Sequence, residues 1–257
     1  MTSGEKENSV SSLTDRIGIF SPLLWGYIGL LLFTIGNGIE AGYLSKYLVD
    51  RQIATEKMVA VIFTVYGITV AISAWLSGAL SDLWGPRKVM GLGLWIWVIF
   101  EVGFLLLGVA PGNYIPLIYM YGLRGLGFPL FAYGFLVWIS VATPKSRLGT
   151  AVGWFWFALT GGLLTLGPLF ASYAIPLIGP YRTLWCSLAL VVCGGAVALI
   201  GLQESTGKNR LAPAGEHPLQ TLFSSISIAS FSRLTSSVSH KAFTRLLILP
   251  GIEGFSS

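Results

Sequence analysis

Three side chains in this sequence stand where their chemistry is costly. Glu40, Glu101 and Arg124 each lie inside a long apolar stretch. A charge at the centre of a bilayer costs about 2.5–3.5 kcal/mol on insertion scales, so each needs an opposite charge, a watery cavity or, for the acids, a proton. Asn37 precedes Glu40 by three residues and shares nearly the same face of a helix. Tyr121 and Phe128 fall on one stripe with Arg124. An acid and a base on separate helices, Glu40 and Arg124, can meet across a central watery cavity. A purely structural ion pair and snorkelling to the interface are the alternatives. Glu101 reads either as a functional acid or as a neutral, hydrogen-bonded packing residue. Trp154 and Trp156 offer indole faces suited to the C–H side of a sugar-like ligand, with plain helix packing as the alternative.

No catalytic constellation accompanies these groups. The sequence contains no His-Glu-x-x-His, Gly-x-Ser-x-Gly, Cys-x-x-Cys or phosphate-binding loop, and His217 and His240 stand outside the apolar stretches. The expected class is therefore a non-enzyme without metal or cofactor. Cys186 and Cys193 lie seven residues apart in one stretch, about 10 Å along a helix, too far for a disulfide. They read as small buried apolar residues.

The elements that position the charges follow from composition. Of 257 residues, 54% are hydrophobic and only 11% are charged, against roughly a quarter charged in soluble domains. So little charge cannot coat a water-facing surface, which points to an integral membrane protein. The net charge of +5 comes from scattered Lys and Arg, with no run that would track a phosphate backbone, so nucleic acid is not an expected partner. A bilayer core needs roughly 20 apolar residues of helix. Such stretches are Leu23–Leu44, Val59–Leu80, Val89–Ala110, Ile115–Ser140, Gly149–Ala171 and Thr183–Leu202. Twenty-residue apolar runs exclude a transmembrane barrel, whose strands alternate. The fold class is all-α, with six transmembrane helices.

With the N-terminus in the cytoplasm, the inner segments hold Lys6, Arg16, Arg87, Lys88, Lys145, Arg147, Lys208 and Arg210, and the outer ones hold Lys46, Arg51, Lys57 and Arg182. The excess on one side favours that orientation. Many of the 32 glycines recur in small-residue spacings that let helices approach closely. Gly122, Gly125 and Gly127, ahead of Pro129, permit the fourth span to bend. Trp75, Trp84, Trp95, Trp97 and Trp138 read chiefly as interfacial anchors. The organisation is then a cytoplasmic segment over 1–22, a six-helix bundle over 23–203, a polar linker with Pro213 and Pro218 over 204–222, and a Ser-rich, disordered or aberrant tail over 223–257.

The connector between the second and third spans reads Gly78-Ala-Leu-Ser-Asp82-Leu-Trp-Gly85-Pro-Arg87-Lys88. It resembles the signature loop of the major facilitator superfamily, Gly-x-x-x-Asp-(Arg/Lys)-x-Gly-(Arg/Lys)-(Arg/Lys). Gly78, Asp82, Gly85, Arg87 and Lys88 match, while Leu83 and Pro86 stand where that family places basic residues. The resemblance implies a conformational latch, the acid capping a helix or pairing with a nearby Arg. Gly36-Asn-Gly-Ile-Glu40, Phe63-Thr-Val-Tyr-Gly67, Tyr121-Gly-Leu-Arg124-Gly-Leu-Gly-Phe-Pro-Leu-Phe-Ala-Tyr133 and Gly153-Trp-Phe-Trp156 are similar to the polyol permease branch, the ribitol and D-arabinitol transporters.

The resemblance implies proton-coupled uptake of sugar alcohols across a bacterial inner membrane, with no enzymatic activity. It places the first and fourth spans along the central cavity, and with the chemistry of the residues themselves the expected solute-binding set is Asn37, Glu40, Tyr121, Arg124 and Trp154, with Glu40 or Glu101 as the proton carrier. That family has twelve spans in two halves. The six spans here correspond to the N-terminal half, with a second six-helix half as the implied partner. A facilitator of another sugar or an organic acid, and a non-transporting truncated fragment, are the alternative readings.

Overall fold

Six helices long and apolar enough to cross a membrane form in the computed structural model, which describes residues 23–202. They are Leu24–Asp50, Glu56–Trp84, Pro86–Val109, Tyr114–Ala142, Lys145–Ile178 and Pro180–Gly201. Among the described residues the fold is all-helical, without strands, and the chain is a multi-pass membrane protein. The first span runs beyond its expected end at Leu44 and takes Lys46 into its last turns. The fifth runs beyond Ala171 to Ile178, so Pro176, expected in a connector, lies inside a helix. The segments 1–22, 204–222 and 223–257 fall outside the described residues.

Two connectors are reduced to one residue. Gly85 ends the second span and begins the third, and Gly179 does the same between the fifth and sixth. Both adopt φ of 84°, a region costly for any residue with a Cβ. Each is followed by a proline at the first helical position, Pro86 or Pro180, where the missing N–H has no partner to lose.

Several spans are interrupted, for identifiable reasons. The fourth divides into helices Tyr114–Arg124 and Gly127–Ala142. Pro129 cannot donate to the carbonyl of Gly125, and its ring crowds that carbonyl, so the helix breaks there. The tight turn bonds Gly125 N–H to the Gly122 carbonyl and Leu126 N–H to the Leu123 carbonyl, both at 3.0 Å. Hydroxyls on the second span supplement the disturbed ladder. Thr69 donates to the Gly122 carbonyl at 2.6 Å and Ser73 to that of Leu126 at 2.5 Å. The bend expected from the glycine cluster is thus present as a break. The first span breaks at Gly42–Tyr43, between helices Leu24–Ala41 and Leu44–Asp50. The third widens into π-type turns over Phe104–Val109, and the fifth does so over Gly161–Leu166.

Packing separates the buried apolar residues into two clusters. One gathers Phe33, Phe131, Phe135, Tyr27 and Trp97, with Phe33 and Phe131 stacked at 4.1 Å between centroids. The other gathers Leu44, Leu48, Ile62, Phe104, Leu117 and Tyr121. The first and sixth spans touch backbone to backbone. A Cβ on Gly29 would lie 2.6 Å from both the Ala198 nitrogen and the Gly194 carbonyl oxygen. Tyr27 and Thr34 tie the first span to the fifth by donating to the carbonyls of Ala151, at 2.9 Å, and Ala158, at 3.1 Å.

The Gly29 contact makes a testable distinction. Gly29→Leu should lower the thermal unfolding midpoint of the chain purified in detergent, by the equivalent of about 1–3 kcal/mol of overpacking. Gly67→Ala, where nothing lies within 4 Å of the added methyl, should leave the midpoint unchanged or slightly raised.

Candidate functional site

Arg124 closes the helix Tyr114–Arg124 immediately before the break in the fourth span. Glu40 stands one residue from the end of the helix Leu24–Ala41, beside the break in the first span. Glu101 stands three residues before the π-type turns of the third. Each charged residue therefore sits next to a helix irregularity, where backbone departs from the regular ladder and a side chain can be aimed inward.

The three side chains meet. Arg124 Nη1 donates to Glu40 Oε2 at 2.6 Å and also to Glu101 Oε2. Their exposures are 1% for Arg124 and Glu40 and 0% for Glu101, so this is a buried ion cluster. Two carboxylates share one guanidinium nitrogen, and with both acids ionised the cluster carries one net negative charge. A single proton brings it to neutrality. The cluster lies at the junction of the two apolar regions, since Trp97 belongs to one and Phe104 and Tyr121 to the other.

Aromatic rings complete the shell. The guanidinium carbon lies 4.3 Å from the Tyr121 centroid, 5.0 Å from Trp97, 5.6 Å from Tyr66 and 5.8 Å from Phe104. Ring faces attract a cation most when water is excluded, so the rings help hold Arg124 charged where hydration is lost. Trp97 Nε1–H donates to Asn37 Oδ1 at 3.1 Å, which fixes the indole against the first span. Ser187, on the sixth span, donates toward the Gly36 carbonyl at 2.7 Å and Glu40 Oε1 at 3.2 Å. Two buried polar atoms in the cluster have no protein partner, Glu101 Oε1 and Arg124 Nε.

The structure brings Asn37, Glu40, Tyr121, Arg124 and Glu101 into one group. Glu40 and Arg124 bond directly, and their attraction offsets part of the cost of burying both charges. Phe128, expected on the Arg124 stripe, instead stacks with Phe33 at 6.1 Å, since the break at Gly125–Leu126 shifts the helical phase. Trp154 packs edge-on against Phe157 at 5.3 Å and against the Phe33–Phe131 cluster. Trp97 and Trp138 are buried, contrary to interfacial anchoring, whereas Trp75, Trp84 and Trp95 are exposed. Trp95 and Trp97 are two residues apart, so a helix turns them to opposite sides. Cys193 is exposed and Cys186 partly so, and both are free thiols.

Sequence reasoning gave no role to Tyr66, Phe104 or Ser187. A usable signal existed for Ser187, since Thr183 and Ser187 form a polar stripe, four residues apart, on an otherwise apolar helix. In the connector motif, Asp82 is exposed and makes no ion pair among the described residues. Arg87 donates through Nη2 to the Leu199 carbonyl at 2.9 Å, so the basic side of the motif binds the C-terminal end of the sixth span. Gly78 lies within the second helix, and Lys88 is exposed.

Comparison with known proteins gives a consistent picture. The model of the Major Facilitator Superfamily matches residues 27–252. The alpha-ketoglutarate permease of Bacillus subtilis is 48% identical over 188 residues, which is 73% of this chain and 43% of that protein. The D-arabinitol transporter of Klebsiella pneumoniae is 37% identical over 188 residues, 73% of this chain and 44% of that protein. The ribitol transporter of the same organism is 37% identical over 183 residues, 71% of this chain and 43% of that protein. The chain spans less than half the length of these curated relatives.

Removing the shared cation tests how the cluster is held. Arg124→Leu leaves two buried carboxylates without their partner, and loss of one member of a buried pair costs about 3–5 kcal/mol. The thermal midpoint in detergent should fall sharply for Arg124→Leu. It should recover in large part when Glu40→Gln and Glu101→Gln are added to the same chain.

Proposed function

The chain belongs to the major facilitator superfamily, and from that premise we propose that it forms one six-helix half of a proton-coupled secondary transporter. The proposed solute is a sugar alcohol such as ribitol or D-arabinitol, carried across a bacterial inner membrane with the N-terminus in the cytoplasm. The observation that carries this reading is the buried Glu40–Arg124–Glu101 cluster, in which two acids compete for one guanidinium nitrogen. Such a cluster changes its net charge by one when a proton binds, which is the event that a proton symporter must couple to movement. Its surroundings suit a hydroxyl-rich solute, because polar groups are few, convergent and set among aromatic walls.

In this reading Asn37, Glu40, Tyr121 and Arg124 meet the solute's hydroxyls, and Trp154 offers a ring face farther along the path. Glu40 or Glu101 carries the proton. Gly78, Asp82, Gly85, Arg87 and Lys88 form the latch between conformations. The bond from Arg87 to the end of the sixth span supports that role, because such a tether can be made in one state and released in another. Alternating access needs a second bundle to rock against this one, so the partner is a second six-helix half.

One observation favours a second solute class. The alpha-ketoglutarate permease shares 48% identity with this chain, and Arg124 is the kind of donor that binds carboxylates. A small organic acid is therefore the alternative cargo.

Both readings are tested in proteoliposomes that hold this chain together with a second six-helix half. Labelled ribitol or D-arabinitol should accumulate when the outside is made acidic, and accumulation should collapse when a protonophore is added. Accumulation that ignores the protonophore removes proton coupling. Accumulation of labelled 2-oxoglutarate, with no uptake of either polyol, replaces the polyol with the organic acid.

A further inference from the structure

The two acids that share Arg124 are not equivalent. Glu40 has Oε2 bonded by Arg124 at 2.6 Å, and its Oε1 lies 3.2 Å from the Ser187 hydroxyl, as the longer arm of a proton shared with the first span's backbone. Ser187 also lies 2.7 Å from the carbonyl of Gly36, one turn before Glu40 on the same helix. One hydroxyl therefore clamps the sixth span to the first at the turn that carries the carboxyl. Glu101 engages Arg124 through Oε2 alone, and its Oε1 is buried without a partner. Arg124 Nε–H is likewise buried without a partner. An acceptor and a donor are thus left open on two residues that already touch, both nine-tenths buried or more. Leaving such groups unpaired is expensive. A hydroxyl both donates and accepts, so a single hydroxyl can satisfy both.

We propose that Ser187 fixes Glu40 as the permanent counter-ion of Arg124, that Glu101 is the acid which takes and releases the proton, and that the open Glu101 Oε1 and Arg124 Nε receive a hydroxyl of the solute. The proposal rests on the transport reading for its solute and its proton. In the step itself a hydronium ion gives its proton to a Glu101 oxygen, so that one O–H bond forms there as one breaks in hydronium and leaves water. No covalent bond breaks in the protein, and two carboxylates with one guanidinium pass from one net negative charge to neutrality. The neutral acid no longer holds Arg124 by charge, and release reverses the step.

The charged and titratable groups around Glu101 come from every neighbouring span. They are Glu40 and Tyr43 on the first, Tyr66 on the second, and Tyr121 and Arg124 on the fourth. Arg124 is the single cation among these groups, so a change at Glu101 acts first on Arg124. The sixth span contributes the uncharged Ser187 on the far side of Glu40. A solute carboxylate, the cargo of the alternative reading, would accept from Arg124 Nε but would be repelled by ionised Glu101. The same geometry therefore makes hydroxyl binding tolerant of ionised Glu101, and carboxylate binding dependent on its protonation.

Infrared difference spectra between acid and alkaline pH, recorded on the whole 257-residue chain in lipid nanodiscs, test the division between the acids. One buried carboxyl C=O band should titrate. It should move in Glu101→Asp and keep its position in Glu40→Asp, substitutions that preserve the charge count. Ser187→Ala should bring Glu40 into the titration as a second band, and Ser187→Thr, which restores the hydroxyl, should remove that band. A band that moves in Glu40→Asp, or the absence of any titrating buried carboxyl, overturns the assignment.

Calorimetric titration with ribitol and with 2-oxoglutarate separates this outcome from that of the transport reading. Ribitol binding should weaken about tenfold or more in Glu101→Leu, which removes the hydrogen-bonding group, and should hold in Glu101→Gln, which stands for the protonated acid that a symporter presents to its solute. If the band follows Glu101 but neither solute binds, the solute part falls and the division of roles stands. If ribitol binds equally well to Glu101→Leu, the hydroxyl site on Glu101 is wrong.

Discussion

A guanidinium that cannot lose its charge has been placed where water does not reach, and the surrounding architecture answers that one constraint. An isolated buried cation is prohibitively costly, and attraction to nearby anions offsets the cost only when the geometry is close and the remaining donors are met. Arg124 therefore draws one acid from the first span and one from the third, with rings from the second, third and fourth around it. The first, third and fourth spans must converge on one point, and the second must come near enough to place Tyr66. The glycine contacts are the means. Gly127 meets the backbone of Gly93 and Trp97, where a Cβ would lie 2.6 Å from the Trp97 nitrogen, and so the third and fourth spans close together beside the cluster.

The irregularities of the helices have a related logic. The first and fourth spans each break just after the residue that brings the charge, at Gly42–Tyr43 and Gly125–Leu126. The second passes to the third, and the fifth to the sixth, through the same glycine–proline joint with the same φ. These features recur at corresponding places in two successive three-helix units, as an internal repeat would have them. Chemistry is distributed unevenly over that repeat. One unit supplies both acids and the other supplies the base and Ser187, so the cluster binds the two units to each other.

Much of this was legible in the sequence, and the limits were physical. Long apolar runs set the six spans because a bilayer requires that length and tolerates little else. Ends were less legible, since the first span continues past Leu44 to Asp50 after a turn that hydropathy does not register, and Pro176 sits inside a helix. Glu40 and Arg124 were conspicuous because charges in lipid are rare. Their direct contact, with Glu101 joined to it, depends on depth and rotation that no periodicity specifies. Trp97 was misread because a tryptophan serves the interface and the core equally well, and only its partner Asn37 decides between them. Ser187 was passed over, although it shares a polar stripe with Thr183, because a hydroxyl in a transmembrane helix usually bonds its own backbone, and here it reaches across to another span.

The glycine–proline joints carry a consequence for how the chain is made. A single residue spans at most about 3.5 Å, so the first turn of the third helix is leashed to the last turn of the second. Neither member can wait in water while its neighbour settles among lipids. As the polypeptide leaves the ribosome, each such pair must partition as one hairpin, already antiparallel and already aligned in depth. The same leash makes these positions intolerant of shortening. Without its one residue the joint would have no turn at all, and the two helices could not fold back against each other.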